Sequence, residues 1–387
     1  MSYHMLMVAA YFSYFLIGFI SVLFAPALPV MIHDFGLNLA QASLIFPAKS
    51  LGHIAAVLVG GAWSDRVGRK PMIVGGALLL GLGSLGVWAG KSWMLVLSAF
   101  LLSSVGQGFV NSSVNALVAD LNPNRRGKAF NVLHGVYGLG GFAGPLVAGT
   151  FLLANRGWRP VFFISALLWL VCGLFTLTLA FPRPTPSSGS PSRRPLFAWG
   201  GILFASLFTV AFLYNGSAWG LIGWINTYLD QKANHIPVVL ATRLLSIYYI
   251  ALTTGRFLWS RVVDQLGYGR VILLCAMGPV VAFPLVVWGV NPWLVACGVA
   301  ICGLFFAGIY PTALAYATQS SPGRSGTIAG TMSVAMATGN MIVPWATGII
   351  ADKVGFNIGM AFIYILVLAL LATAIGVNRI SVNATAE

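Results

Sequence analysis

The sequence predicts an all-α membrane protein of twelve transmembrane helices, arranged as two six-helix repeats. Three observations predict it. The 387 residues are 58% hydrophobic and 7% charged, with a mean hydropathy of +0.89. A soluble chain carries about 25% charged residues to cover its surface. Apolar stretches of the length needed to cross a bilayer, about 20 residues, recur along the whole chain. Finally, the second half of the chain matches the first at a constant offset. The composition excludes a disordered chain. A membrane barrel is excluded as well, since its strands would be about 10 residues of alternating polarity.

The spans of the first half fall at 7–31, 42–63, 72–89, 93–118, 128–154 and 158–181. Those of the second half fall at 199–229, 240–262, 271–290, 293–318, 326–350 and 356–377. Their glycines and prolines are compatible with helix, because membrane helices tolerate both. Ala25 and Ala27 in span 1 form an A-x-A pattern, but no basic segment precedes it, so span 1 is read as a helix and not as a cleaved leader. The expected domains are residues 1–181 and 199–387, joined by a cytoplasmic linker at 182–198. The stretch Pro182–Pro195 is rich in Pro, Ser and Arg, the composition of a connecting segment.

The net charge of +14 would suggest a nucleic-acid partner in a soluble protein. Here it sorts by side of the membrane. With a cytoplasmic N-terminus, Arg66, Arg69, Lys70, Arg125, Arg126, Lys128, Arg183, Arg193, Arg194, Arg261, Arg270, Arg324 and Arg379 share the inner side. Lys91, Arg156, Arg159, Lys232 and Lys353 fall outside. Basic residues concentrate in cytoplasmic loops, so both termini are expected in the cytoplasm of a multi-pass inner-membrane protein, with no nucleic acid as partner. The four cysteines, Cys172, Cys275, Cys297 and Cys302, lie in apolar runs without metal-ligand spacing, and no metal or cofactor is expected.

The repeat is visible in the loops and inside the helices. Asp65 falls on Asp264, Gly68 on Gly267, Pro123 on Pro322, Arg125 on Arg324 and Gly127 on Gly326. Gly140, Pro145 and Gly149 fall on Gly339, Pro344 and Gly348. Between spans 2 and 3 the chain reads Gly61-x-x-x-Asp65-Arg66-x-Gly68-Arg69-Lys70. Glycines permit a tight turn there, and an acidic side chain can pair with an arginine or a helix N-terminus. A degenerate copy, Arg261-x-x-Asp264-x-x-Gly267-x-x-Arg270, occupies the matching place in the second half.

This loop string resembles the signature of the major facilitator superfamily. The resemblance covers the whole chain and implies an alternating-access transporter, not an enzyme. It also implies a conformational latch built on Asp65, Arg66, Gly68, Arg69 and Lys70, with Asp264 in the second copy. Parallel halves of this kind hold substrate near the bilayer midplane. Within the superfamily the chain is similar to the fucose-permease-like sugar transporters at Gly106-Gln107-Gly108, Tyr214-Asn215-Gly216 and Gly308-Ile309-Tyr310-Pro311. It departs from them in having no acid inside spans 1 or 4; Asp34 and Asp120 lie at or beyond their ends. The rival resemblance is to drug–proton antiporters, through Gly140-x-x-x-Gly144-Pro145-x-x-Ala148-Gly149. Those carry an arginine three residues before a Gln-Gly, where this chain has Ser104.

Helical spacing groups the candidate substrate-binding residues. Gln107, Asn111 and Asn115 recur every fourth residue and share a face of span 4. Asn131, His134 and Tyr137 form a similar stripe on span 5, and Asn215, Trp219 and Asn226 one on span 7. Tyr310 precedes Pro311 in span 10, and Asn340 sits in span 11. Amides donate and accept, and indoles stack on sugar faces, although membrane bundles also use such groups simply to join helices. Lys49 and His53 lie one turn apart in span 2. A cation within the bilayer is costly and points to function, with snorkelling to the interface as its bland counterpart. Arg256, near the inner end of span 8, fits pairing or snorkelling better.

The spans therefore carry bases without matching acids. The expectation is a secondary transporter, a monomer in the bilayer, moving a small polar solute by symport: a sugar, a sugar acid or an organic anion. A proton becomes the coupling ion if His53 or His134 titrates near neutral pH. Proton-coupled efflux of drugs or metabolites is the alternative.

Overall fold

The computed structural model describes residues 2–122, 125–181, 201–231, 238–320 and 325–386. The expected linker at 182–198 lies outside the described residues, as do Pro123, Pro322, Arg324 and Lys232. Thirteen helices run through the described residues, in the order α1 (Ser2–Phe35), α2 (Leu39–Ser43), α3 (Ile45–Val67), α4 (Arg69–Ala89), α5 (Trp93–Leu121), α6 (Arg126–Leu153) and α7 (Arg159–Thr178). There follow α8 (Ile202–Gln231), α9 (Val238–Leu266), α10 (Tyr268–Val287), α11 (Pro292–Gln319), α12 (Ser325–Val354) and α13 (Phe356–Ala386).

All helices except the five-residue α2 are long enough to span, and eleven candidate spans are apolar enough as well. The exception is α9, expected as span 8. Its 29 residues reach about 43 Å at 1.5 Å per residue. Arg243, Arg256, Arg261 and Asp264, interspersed with serines and threonines, dilute its apolar surface.

The helices form two compact units. Met1–Leu37 and Leu44–Ser190 make the first; Asn38–Ser43 and Pro191–Glu387 make the second. The division departs from the expected one at Asn38–Ser43, which follows span 1 in the chain but groups with the C-terminal unit. The segment is the short helix α2, closed by a reciprocal cap: Gln41 N–H donates to Asn38 Oδ1 at 2.8 Å, and Asn38 N–H to Gln41 Oε1 at 3.1 Å. That satisfies two of the orphan donors at a helix start. A third, Leu39 N–H, donates to Asp352 Oδ1 at the end of α12, at 3.0 Å.

The same pairing scheme builds both units. In the first, α1 packs on α6, α3 and α4 on α5, and α4 on α7. In the second, α8 packs on α12, α9 and α10 on α11, and α10 on α13. The loops repeat as well: Gly68 caps α4 at φ 95°, and Gly267 caps α10 at φ 80°. Both lie in the left-handed region that glycine enters without a Cβ penalty. Glycine also sets the closest helix approaches. A Cβ on Gly140 would run into the Phe15 carbonyl of α1, and one on Gly339 into the Phe212 carbonyl of α8. Small residues at such crossings let membrane helices pack by backbone contact.

Candidate functional site: two polar layers in the N-terminal unit

Span 1 is mostly apolar, so the polar side chains of α1 that face into its own unit stand out. Two of them, Tyr14 and Ser21, are seven residues apart and thus on one face, about 10 Å apart along the axis. Both are buried, and each anchors a layer of polar contacts.

The first layer joins α1, α3 and α5. Lys49 Nζ donates to the Ser21 carbonyl at 3.1 Å. It sits over the Phe24 ring at 3.7 Å from the centroid and within 5.8 Å of that of Phe100, a cation–π arrangement. Gln107 Nε2 donates to Ser21 Oγ at 3.0 Å, while that hydroxyl donates to the Ile17 carbonyl at 2.7 Å. Lys49 and Gln107, singled out in the sequence on different spans, thus meet at one serine. Lys49 is directed toward α1 and α5, and this orientation argues against simple snorkelling. His53 follows one turn later on α3, half-buried, where its carbonyl faces the close approach at Gly108.

The second layer joins α1, α5 and α6. The Tyr14 hydroxyl donates to Asn111 Oδ1. Asn115 Nδ2 donates to the same oxygen at 3.0 Å and to the Asn111 carbonyl at 2.9 Å. The Tyr14 ring meets the edge of His134, with centroids 5.6 Å apart and planes at 82°. Of the stripe Gln107, Asn111 and Asn115, the first bonds to Ser21 and the second to Tyr14 on α1, and Asn115 bonds to Asn111. The stripe's anchors, Tyr14 and Ser21, were not among the predicted site residues; their seven-residue spacing on one face of α1 is a signal in the sequence, diluted by Tyr11 and Ser13 on the same helix. The side chain of Asn131 lies outside the described residues.

In the C-terminal unit the predicted residues are spread out. Asn215 Nδ2 donates to the Met336 carbonyl of α12 at 2.7 Å, and the Tyr310 hydroxyl lies 3.4 Å from Ser333 Oγ. Asn340 and Trp219 are half-buried on α12 and α8. No hydrogen bond joins Asn215, Tyr310 and Asn340 to one another among the described residues. Asn226 is fully buried, and neither of its side-chain atoms has a partner among the described residues.

Of the loop residues expected to form a latch, Arg69 and Lys70 have contacts within their own unit. Arg69 Nε lies 3.4 Å from Asp120 Oδ2, a half-exposed pair of the kind that contributes little stability. Lys70 Nζ donates to the carbonyls of Leu177 and Leu179 at 2.7 and 2.8 Å. A cation placed there satisfies carbonyls at the C-terminal end of α7 and complements its dipole. Asp264 is exposed on α9. The side chains of Asp65 and Arg66 lie outside the described residues.

Ser104, where drug–proton antiporters carry an arginine, is buried against α3. A Cβ built on Gly52 would fall 3.2 Å from Ser104 Cβ and 2.5 Å from the Leu101 carbonyl. Ser104 is thus buried at a close α3–α5 approach, where a longer side chain would have to displace its neighbours.

The family model of the Major Facilitator Superfamily matches residues 10–344 and 231–382. This chain belongs to the major facilitator superfamily. It is therefore a multi-pass membrane transporter and not an enzyme. Among curated proteins it is 23% identical over 385 residues to the uncharacterized MFS-type transporter YfkL of Bacillus subtilis, covering 94% of this chain and 93% of that one. It is 22% identical over 348 residues to the quinolone resistance protein NorA of Staphylococcus aureus, covering 88% and 89%. Among solved structures it matches the nucleoside transporter NupG with a TM-score of 0.82 at 13% identity, covering 97% of this chain and all of that one. That likeness establishes the fold.

Proposed function

We propose that this superfamily member carries a small polar solute bearing a carboxylate, an organic anion or sugar acid, across the cytoplasmic membrane by alternating access. The carrying observation is the Lys49–Ser21–Gln107 layer, in which a membrane-embedded cation, a hydroxyl and an amide converge from three helices. All seven acidic residues of the chain (Asp34, Asp65, Asp120, Asp230, Asp264, Asp352 and Glu387) fall at or beyond the ends of the spans. An anionic solute would bring into the bilayer the charge that complements Lys49. The likeness to the fucose-permease-like branch supports a hydroxylated solute. Proton coupling is part of the proposal, with His53 and His134 as the histidines of the spans to be tested for it. The excess of arginine and lysine in alternate loops supports cytoplasmic termini.

The reading is tested with purified protein, screened by thermal shift against neutral sugars, sugar acids, simple carboxylates and lipophilic cations. A ligand that binds only the native state raises the melting temperature. Stabilisation by sugar acids or carboxylates is expected, with its loss in Lys49→Ala. Stabilisation by neutral sugars alone would discard the anion preference. Proton coupling predicts transport that varies between about pH 5 and 8; a flat profile, unchanged in a His53/His134 double alanine variant, would overturn it.

A second reading, efflux by proton antiport, is favoured by the similarity to NorA along 88% of the chain. Ser104 in its tight position counts against an arginine-based antiport site. Stabilisation by lipophilic cations alone would establish the efflux reading over the first.

A further inference from the structure

The second polar layer carries a more specific statement about the solute. We infer that Tyr14 is a positioning residue, fixing the Asn111 amide as a hydrogen-bond donor for a hydroxyl of the solute, so that the preferred class is a polyhydroxylated monocarboxylate. The inference rests on the anion reading above and adds the hydroxyl requirement to it.

A side-chain amide oxygen accepts two hydrogen bonds, and its nitrogen donates two. Asn111 Oδ1 is filled by the Tyr14 hydroxyl and Asn115 Nδ2. With the oxygen engaged twice, the amide plane is set, and Nδ2 points away from both donors. Among the described residues Nδ2 has no hydrogen-bond partner, and Asn111 is half-buried rather than sealed. One turn earlier on the same face, Gln107 spends its Nε2 on Ser21 Oγ. Its Oε1 has no partner among the described residues. An unpaired donor and an unpaired acceptor thus sit four residues apart on α5, about 6 Å along the axis. A hydroxyl is both donor and acceptor, so a row of hydroxyls complements such a pair, whereas an alkyl chain leaves both groups unpaired. Lys49 lies at the Gln107 end, where its contact with the Ser21 carbonyl places a cation for the carboxylate. A cation from α3, followed by an acceptor and a donor along one face of α5, therefore matches a carboxylate followed by hydroxyl-bearing carbons.

Tyr14 suits the positioning role because it is 1% exposed, which keeps its hydroxyl on Asn111 and away from solvent. Its ring is held by the edge of His134. A site built to hydrogen-bond hydroxyls discriminates against analogues that lack them, because its own polar groups would then be stranded.

The test uses full-length protein in detergent and two probes of equal charge, D-gluconate and hexanoate, with binding read by intrinsic tryptophan fluorescence. The wild type is expected to bind gluconate about 10-fold or more tightly than hexanoate. Tyr14→Phe removes only the hydroxyl and is expected to bring that ratio below about 3 by weakening gluconate alone. Asn111→Asp keeps the size, removes the donor and adds a negative charge that weakens both anions; the loss is expected to be larger for gluconate, so that the ratio again falls below about 3. A merely structural role for Tyr14 would weaken both probes together and leave the ratio unchanged, which overturns the positioning role. Melting temperatures without ligand confirm that each variant is folded, and the Asn111→Asp ratio decides the inference if Tyr14→Phe fails to fold. Equal affinity for the two probes in the wild type would overturn the hydroxyl requirement while leaving Lys49 as an anion ligand. A response to tetraphenylphosphonium with none to either anion would overturn the anion reading itself.

Discussion

The two units share a scaffold and differ in chemistry. Helix pairing and capping glycines recur, and each unit has a glycine that meets a backbone carbonyl, yet the side chains at the polar positions change. The residue 199 places after Lys49 is Tyr248, after Gln107 Phe306, after Asn111 Tyr310 and after His134 Ser333. In the N-terminal unit the polar side chains bond to one another across helices. In the C-terminal unit several bond to backbone, Trp224 Nε1 to the Pro344 carbonyl at 2.7 Å, Trp259 Nε1 to the Leu304 carbonyl at 2.9 Å, and Asn215 to Met336, while Tyr310 and Ser333, the counterparts of Asn111 and His134, meet in one contact of 3.4 Å. Such bonds join helices and use up the donors that make them. The lesson is that the repeat preserves what holds six helices together, while the side chains proposed to meet a solute differ between its copies.

The largest effects should be the same in both units, because they concern the scaffold. Leucine at Gly140 or at Gly339 forces apart a helix pair that meets at a backbone carbonyl, at a cost of more than about 3 kcal/mol. Loss of the monodisperse peak in size-exclusion chromatography is expected for each, and a marked difference between them would break the scaffold equivalence. Ser104→Arg follows, at about 2–3 kcal/mol for overpacking the α3–α5 contact, read as a lowered melting temperature. An unchanged melting temperature would reopen the efflux reading.

The next effect should be confined to one unit. Lys49→Gln is expected to weaken gluconate about 10-fold, equivalent to about 1.4 kcal/mol, while Tyr248→Phe at the matching position leaves affinity unchanged. Equal losses would mean that both units contribute to anion recognition. The smallest effect falls on stability alone. Tyr228 donates to the Val287 carbonyl and to Asn357 Oδ1, so Tyr228→Phe is expected to cost about 1 kcal/mol in thermal unfolding without changing gluconate affinity.

Most of the scaffold was legible in the sequence. Hydropathy marks the spans because every backbone group in the bilayer must bond within its own helix; glycines mark loops because they enter positive φ, and crossings because a side chain there would meet a neighbouring backbone. Two features were not legible. Membership of Asn38–Ser43 in the C-terminal unit depends on Asp352, more than 300 residues away, and no local pattern encodes that contact. The partners of the polar stripe were hidden for a related reason. Spacing gives the face of a helix but not its rotation toward neighbours, so Gln107 and Asn111 could be grouped while Ser21 and Tyr14 could not be matched to them. The sequence also made α9 look like its neighbours in kind, although its arginines set it apart from the eleven apolar spans.

The central claim is that recognition of the solute's charge resides in Lys49. Gluconate titrations of wild type and Lys49→Gln, followed by tryptophan fluorescence in detergent, test it most directly. The expected result is a clear loss of affinity in Lys49→Gln, with an unchanged melting temperature in the absence of ligand. Equal affinity in the two proteins would contradict the account and return Lys49 to a structural role over Phe24.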